Sequence, residues 1–258
     1  MLVDTHAHLS DRRLASDLEH WLQEARAAGI RHIVNVGADW ESSRIAAEQA
    51  ANHSELVAAV GVHPHEARHW NAQMEEDLIA LAQHPKVCAY GEIGLDYYYD
   101  HSSRSIQQEV FKAQLRIAKE LDLPVIVHDR DAHGDVLAIL QQHAPFKAGG
   151  VMHCYSGSAE MVPDFLALGF YISFAGPITF RNAKKPALAA LKVPDDRLLV
   201  ETDCPYLSPE PFRGKLNHPA RVALVARRLA ELRGVDYATL AQQTTANAAR
   251  LFGLERGD

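Results

Sequence analysis

A set of histidines and carboxylates in this chain lies at the ends of short apolar runs. These residues are His6, His8, His63, Glu92, His128, His153 and Asp203. Short apolar runs of this kind are typical of buried parallel strands, which have no reason of their own to end on an acid or an imidazole. Imidazoles and carboxylates bind divalent metal ions and transfer protons. If these strands end at one edge of the fold, the sequence predicts a metal site there.

His6 and His8 are the most informative pair, because residues two apart in a strand point to the same face. Their imidazoles can therefore bind one ion together. The remaining candidate ligands are two carboxylates and two histidines: Glu92, Asp203, His128 and His153. Six such groups are enough for two ions that share one carboxylate, and we expect Glu92 to be shared. Taken alone, Glu92 also fits a strand-end carboxylate that faces water.

The ligand types restrict the metal without choosing it. Mixed imidazole and carboxylate ligands suit Zn²⁺, Mn²⁺ or Fe²⁺, and they suit Mg²⁺ where water completes the coordination. Cys154 follows His153 and Cys204 follows Asp203, which also suggests thiolate ligands. In a strand, however, the neighbours of inward-pointing ligands face outward, so we expect both thiols to be buried and inert. The sequence therefore predicts two divalent ions per chain on nitrogen and oxygen ligands.

The elements that must position these groups recur regularly. Apolar runs cover residues 2–8, 33–36, 56–62, 87–93, 123–128, 150–153, 170–174 and 198–201. Stretches with helical spacing cover residues 14–28, 41–51, 75–82, 105–122, 135–142, 160–168, 183–191 and 219–233, followed by two more at 237–243 and 247–252. This alternation predicts an α/β fold, a (β/α)8 TIM barrel with extra C-terminal helices. An open doubly wound sheet is the alternative, but its Gly-x-Gly-x-x-Gly turn is missing.

The composition bounds the class of protein. A chain of 258 residues fits a single barrel domain over residues 1–258. The chain has no long uncharged apolar stretch that could span a bilayer. It begins without a basic segment and an apolar block, and its three cysteines fit a reducing compartment. We therefore expect a cytoplasmic protein with no membrane partner and no obligate protein partner.

The net charge of the protein limits where it can bind a polyanion. With a formal net charge of -7, the surface as a whole does not attract nucleic acid, so any such contact must be local. The loop over residues 211–219 carries Arg213, Lys215 and Asn217, which together suit phosphate oxygens. A solvated surface loop is the alternative interpretation of this segment.

Two further features lie beside the predicted strand ends. Arg130 follows the fifth apolar run and adds a cation to the site. The tyrosines from Tyr97 to Tyr99 offer a stacking surface to an unpaired base, although packing accounts for at least one of them.

Five segments in this order resemble the TatD family of metal-dependent hydrolases, a branch of the amidohydrolase superfamily. They are Asp4-Thr5-His6-Ala7-His8, Gly61-Val62-His63-Pro64, Gly91-Glu92-Ile93-Gly94-Leu95-Asp96-Tyr97-Tyr98, His153-Cys154-Tyr155-Ser156-Gly157 and Glu201-Thr202-Asp203-Cys204-Pro205-Tyr206-Leu207. A single His-x-His is a weak motif, whereas the ordered set is specific. The resemblance extends from the first strand to Asn247.

The resemblance implies a role for each candidate ligand. One ion is held by His6, His8 and Asp203, and a second ion is held by His128 and His153. Glu92 bridges the two ions, where better-known relatives of the superfamily have a carbamylated lysine. The resemblance also places His63 and the segment with Arg213 in contact with phosphate.

The activity that the resemblance implies is metal-dependent DNase action, often from the 3′ end. We therefore predict hydrolysis of phosphodiester bonds at single-stranded DNA ends, with Glu92 and Asp203 as catalytic residues and Asp203 as the proton acceptor. The predicted substrate-binding residues are His63, Arg130, Arg213, Lys215 and Asn217. An alternative keeps the metals but attacks a carbonyl carbon, as in an ester, an amide or an aminoacyl-tRNA link. A metal-binding barrel without turnover is a third interpretation.

Overall fold

The computed structural model describes residues 1–254, and its strands form one sheet in the order of the sequence. The strands are β1 (Leu2–Ala7), β2 (Ile30–Val36), β3 (Leu56–Val60), β4 (Val87–Asp96), β5 (Val125–Arg130), β6 (Gly150–Met152), β7 (Phe170–Phe174) and β8 (Leu198–Val200). All neighbouring strands pair in parallel. A bridge between Ala7 and Cys204 brings the last strand back to the first. The predicted (β/α)8 barrel is confirmed.

Helices alternate with these strands. They are α1 (Arg12–Ala15), α2 (Leu18–Ala27), α3 (Trp40–Asn52), α4 (Ala72–Ala82), α5 (Arg104–Glu120), α6 (His133–His143), α7 (Val162–Ala167), α8 (Lys184–Ala190), α9 (Val222–Arg233) and α10 (Tyr237–Phe252). The helix predicted at residues 14–28 is two helices. The two helices predicted at the C-terminus are one, and within it the Thr244 hydroxyl donates to the Leu240 carbonyl one turn earlier, which satisfies its polar group inside a helix.

The single domain was predicted over residues 1–258, and residues 255–258 lie outside the described part, so the domain limits stay a prediction. Within residues 1–254, no helix combines the length and the apolar character needed to cross a membrane.

The interior of the barrel is one apolar cluster that receives side chains from all eight strands. Its strand residues are Val3, Val34, Val36, Ala59, Ala89, Ile126, Val151, Tyr171 and Leu199. The end of α10 adds Leu251 and Phe252 to this cluster, and Asn247 donates hydrogen bonds to the carbonyls of Asp195 and Leu198 where β8 begins. Helix α10 therefore closes the barrel at the N-terminal ends of the strands and leaves the opposite end open.

Most candidate ligands lie on the interior side of the barrel, because side chains alternate between the two faces of a strand. His128 and His153 each follow an interior residue by two positions, and Asp203 follows Leu199 by four. On β1 and β4 the spacing is three residues, from Val3 to His6 and from Ala89 to Glu92, and both strands shift register there. These irregularities turn His6 and Glu92 toward the same opening.

The glycines beside Glu92 are required by close packing of β4 on β5. A Cβ atom on Gly91 would lie 2.7 Å from Cβ of Ile126, and one on Gly94 would lie 2.0 Å from the carbonyl oxygen of His128. Gly94 also has a φ of +145°, which other residues rarely adopt. The Gly-Glu-x-Gly spacing therefore allows the backbone that carries Glu92 to pack closely against the strand that carries His128.

Side chains complete the closure between β1 and β8. Both oxygens of the buried Asp4 carboxylate accept from Thr202, one from its backbone N–H at 2.8 Å and one from its hydroxyl at 2.6 Å. The Thr5 hydroxyl donates to the Val200 carbonyl at 3.0 Å, and Asn217 donates to the Thr202 carbonyl at 2.9 Å. These polar contacts thus help to hold β8 and the turn after it against β1.

We expect Thr202→Val, which keeps the shape but removes the hydroxyl, to lower the free energy of unfolding by about 2 kcal/mol, because a buried carboxylate loses a partner. Urea unfolding followed by circular dichroism measures the change. Thr239→Val is the matched control, since the Thr239 hydroxyl makes the same contact with Asp236 on an exposed helix end. The control should change stability by less than roughly 0.5 kcal/mol, and equal losses in both variants would contradict the closure argument.

Candidate metal centre

The first group of candidate ligands lies between the end of β1 and the turn after β8. Nε2 of His6 and Nε2 of His8 are 3.2 Å apart, and Oδ1 of Asp203 lies 3.8 Å and 3.4 Å from them. Oε2 of Glu92 lies 3.3 Å and 3.5 Å from the same two nitrogens. Ligand atoms about 2.1 Å from a tetrahedral ion lie about 3.4 Å from one another. The spacing of these four atoms therefore fits one metal ion.

Hydrogen bonding determines which nitrogen of His8 is available. Nδ1 of His8 lies 2.9 Å from the carbonyl oxygen of Val36, which can only accept, so Nδ1 carries the proton. In the neutral ring, Nε2 then presents a lone pair toward the oxygens of Glu92 and Asp203. Converging lone pairs repel one another unless a cation lies between them. The donor set therefore favours a bound cation.

The second group is built on the other oxygen of Glu92. Oε1 lies 2.8 Å from Nδ1 of His128 and 2.9 Å from Nε2 of His153. The opposite ring nitrogens face carboxylates, at 3.2 Å from Asp96 for His128 and at 3.0 Å from Glu201 for His153. Each ring thus lies between two carboxylates, and a neutral ring that keeps its proton toward Asp96 or Glu201 directs its lone pair at Glu92. Among the described residues, a group whose ligand atoms all lie within 4.8 Å of one another here consists of His63, Glu92 and His128, and His153 faces the same oxygen of Glu92.

His63 lies beside the second group but differs from its members. Nε2 of His63 is 3.6 Å from Oε1 of Glu92, so the distance alone would allow it to be a ligand. Its Nδ1, however, accepts the backbone N–H of His65 at 3.1 Å. Burial holds the pKa of His63 well below its ordinary value, so the ring is neutral and its single proton is on Nε2. His63 therefore points a hydrogen-bond donor into the site.

Two buried carboxylates that the sequence analysis left without a role orient the histidines. Asp96 accepts from His128 and, at 2.9 Å, from Nε2 of His65, and its other oxygen accepts two backbone N–H groups of the following loop. Glu201 accepts from His153 and from the backbone N–H of Cys154. Carboxylates in this position select the ring tautomer and increase the basicity of the ligand. In the sequence, the only indication of this role is that Asp96 and Glu201 lie within the Gly91–Tyr98 and Glu201–Leu207 segments.

The charges of the site are strongly coupled. Burial alone would raise the pKa of Glu92, but the positive charge of His153 and the other surrounding imidazoles outweigh burial and hold this pKa well below its usual range. Burial alone would lower the pKa of His153, but the charges of Glu92 and Glu201 raise it well above the ordinary value. The pKa of His128 is also raised, because hydrogen bonds to Asp96 and Glu92 outweigh burial. Metal binding must displace these protons, so metal affinity decreases as the pH falls.

Two clefts meet at these ligands, with volumes of about 490 Å³ and 540 Å³. The residues common to both walls are His128, Arg130, His153, Asp203 and Leu207. His63 lines the second cleft only. Both clefts therefore open onto the candidate ligands.

The structure brings Arg130 to this site but not the charged residues of the 211–219 loop. Arg213 and Lys215 are exposed and line neither cleft. The Arg213 guanidinium instead lies over the ring of Phe180, 4.3 Å from its centroid.

Asn217 has a different position from the one expected for a substrate contact. It is fully buried, and its amide nitrogen donates to the carbonyls of Thr202 and Tyr206. Its amide oxygen accepts the backbone N–H of His218. These contacts occupy the polar atoms of Asn217, so it holds the loop to the barrel and does not reach the clefts.

The cysteines agree only partly with the alternation argument. Cys204 is fully buried, and burial raises the pKa of its thiol well above the usual value, as expected for an inert group. Cys154 has a similarly raised pKa because of burial, but it lines the first cleft instead of facing the helices. The reason is that β6 ends at Met152, and Cys154 has a φ of +41°, so strand alternation does not extend to it.

Comparison with known proteins gives one consistent family. The family model described as TatD related DNase matches residues 3–253. The chain is 46% identical to the uncharacterized metal-dependent hydrolase YabD of Bacillus subtilis, over 98% of this chain and 99% of that protein. It is 36% identical to the 3'-5' ssDNA/RNA exonuclease TatD of Shigella flexneri, over 98% and 99% of the two chains. The crystal structure of YJJV, a TatD homologue of Escherichia coli, superposes with a TM-score of 0.94 at 34% identity and covers 98% of both chains.

The barrel, its histidine and carboxylate clusters and these relatives define a metal-dependent hydrolase. Within that class, the chain belongs to the TatD family. The family resemblance and the enzyme class predicted from the sequence are confirmed.

We expect Asp96→Asn to weaken metal binding at the second group by about 10- to 100-fold. The amide would offer an N–H group to Nε2 of His128, which would shift the ring proton to Nδ1 and remove the lone pair that faces Glu92. Titration against a competing chelator measures the affinity. Glu66→Gln, which alters a surface carboxylate 3.6 Å from His69, is the matched control. Unchanged affinity in Asp96→Asn would show that Asp96 does not select the tautomer.

Proposed function

We propose that this protein hydrolyses phosphodiester bonds at the 3′ end of single-stranded DNA with two divalent metal ions. One observation carries the proposal: the two oxygens of Glu92 face separate pairs of imidazoles, His6 with His8 and His128 with His153. A carboxylate in this position can bridge two ions. Two ions held by these residues would supply the charge stabilisation that displacement at phosphorus requires. The names of the TatD relatives support the substrate and the direction.

The proposed ions are Mg²⁺, Mn²⁺ or Zn²⁺, held by His6, His8, Asp203, Glu92, His128 and His153. When bound, they lower the pKa of water and neutralise charge on the phosphoryl group. The protein must then remove a proton, and Asp203 is placed for this, since it contributes to the first group and lines both clefts. Burial alone would raise the pKa of Asp203, but its hydrogen bond with His8 and the nearby imidazoles keep it below the usual value. Asp203 is therefore ionised at neutral pH and can accept the proton.

The protein's own donors complete the phosphate site. His63 directs its Nε2–H group into the second cleft, where a non-bridging phosphate oxygen can accept it. Arg130 lies on the wall shared by both clefts, and within residues 1–254 its guanidinium has no carboxylate partner. A guanidinium without an ion pair can bind a phosphate without breaking an existing contact. Because the net charge is -7, these local groups must supply the attraction.

We expect metal-stripped protein to shorten a 5′-labelled single strand stepwise from its 3′ end only after Mg²⁺, Mn²⁺ or Zn²⁺ is restored. Glu92→Gln should reduce the rate by at least about 100-fold, the scale of losing a group that stabilises charge in the transition state. Glu48→Gln is the control, because Glu48 lies on the exposed face of α3 beside Arg44. Denaturing gels resolve the products.

A negative result has a defined meaning. If protein with two bound metal ions leaves the strand intact with every ion, the phosphodiesterase proposal is wrong. Esters, amides and aminoacyl-tRNA then become the substrates to assay, because the same metals can polarise a carbonyl group.

His63→Ala, which removes the ring and its N–H group, separates a donor from a ligand. We expect kcat to fall by about 10²- to 10³-fold, which is typical for removing one donor to a developing oxyanion. The number of bound ions per chain, measured by plasma mass spectrometry after dialysis, should stay the same. Loss of one ion would identify His63 as a metal ligand and refute the donor assignment.

A further inference from the structure

The three tyrosines after β4 have different surroundings. The Tyr97 hydroxyl donates to Asp135 at 2.7 Å, and its ring lies under the guanidinium of Arg104, 4.3 Å away. Tyr97 is thus part of the packing between the loops. The side chains of Tyr98 and Tyr99 remain 58% and 50% exposed, although they follow directly on the strand that carries Glu92.

Arg130 lies over both exposed rings. Its guanidinium carbon is 4.2 Å from the ring centroid of Tyr98 and 5.1 Å from that of Tyr99. Strand pairing holds this arrangement, because Arg130 is in register with Asp96 and the Tyr97 N–H donates to the Arg130 carbonyl. Strand pairing therefore holds the backbone that carries the cation and both rings. These residues lie two or more positions after the nearest metal ligand along the chain.

His101 extends the same surface. Its ring stacks on Tyr99 with a centroid distance of 5.5 Å and an interplanar angle of 12°. We define Tyr98, Tyr99, His101 and Arg130 as the aromatic ridge. Tyr98 lines the first cleft, Tyr99 and His101 line the second, and Arg130 lines both. The aromatic ridge thus stands where the two clefts meet, beside His128.

We propose that the aromatic ridge binds the unpaired nucleobase next to the phosphate that Arg130 and the metal ligands hold. The inference rests on the proposed function and names the feature that would select single strands. An exposed aromatic ring stacks on any base whose face is free, and a neighbouring arginine adds a cation–π contribution. In a duplex both faces of a base are already covered by its neighbours. An acidic protein gains little from long-range attraction, so stacking of this kind has to provide much of the affinity.

The test compares two strands that differ only in their bases. One is a fluorescent oligothymidine, and the other is a strand of equal length made of abasic deoxyribose phosphates. Anisotropy with metal-stripped protein measures binding without turnover. We expect the wild type to prefer the oligothymidine by about tenfold, which is typical of base stacking on aromatic side chains.

Substitutions test whether the aromatic ridge causes the preference for the oligothymidine. Tyr98→Ala and Tyr99→Ala should each remove most of the preference, whereas Tyr98→Phe should keep it because the ring remains. Tyr237→Ala is the matched control, since Tyr237 is also partly exposed and pairs with Arg227 at 5.7 Å, but it lines neither cleft. This control should behave as the wild type.

The possible failures are distinguishable. Equal wild-type affinity for the two strands, or no binding to either, would overturn the base site. So would alanine variants that weaken binding to both strands equally, or a Tyr237→Ala effect as large as theirs. If the base preference is present but restored metal produces no DNA cleavage, the base site stands and the phosphodiesterase proposal fails.

Discussion

The burial of the Glu92 carboxylate among imidazoles is the constraint on which the rest of the site depends. Glu92 is only 3% exposed, and a buried carboxylate is tolerated only with close positive or hydrogen-bonding partners. One of its oxygens meets His6 and His8, and the other meets His128 and His153, with His63 at 3.6 Å. These histidines are themselves oriented by buried groups, such as Asp96 behind His128. Several charged groups therefore surround this one carboxylate. Each group offsets the free-energy cost of burying the charged groups that it contacts.

The barrel provides the rigid support that such a cluster needs. Six strands deliver a candidate ligand or the donor His63 to one opening, while α10 fills the opposite end with apolar side chains. The register shifts on β1 and β4 occur where His6 and Glu92 must turn inward. Irregular pairing at these positions has a local cost, and the metal site explains why the strands keep it.

Much of this organisation could be predicted from the sequence, for physical reasons that particular residues illustrate. Strand alternation correctly relates His128 and His153 to the interior, because a parallel strand has a strict period of two. The same rule cannot foresee the three-residue step from Ala89 to Glu92, since a register shift depends on the neighbouring strand. Nor does it extend to Cys154, which lies beyond the end of β6.

The loop residues show a different limit. Arg213 and Lys215 have the right chemistry for phosphate, but an irregular loop has no period from which the direction of a side chain follows. Asn217 is a polar residue that serves the backbone, and only its hydrogen bonds reveal this. Asp96 lies in a segment that resembles the family, yet its function depends on which nitrogen of His128 it binds. That choice is made by three-dimensional packing.

The closure between β1 and β8 has a consequence for how the enzyme comes into being. His6 and His8 are among the first residues of the chain to be synthesised, and Asp203 enters only with the turn after β8. The ion-binding group that joins them cannot form on a nascent chain until the last strand has left the ribosome and paired with the first. Until then the early histidines can meet Glu92 but lack Asp203. The step that closes the barrel is therefore also the step that assembles the proposed first metal site.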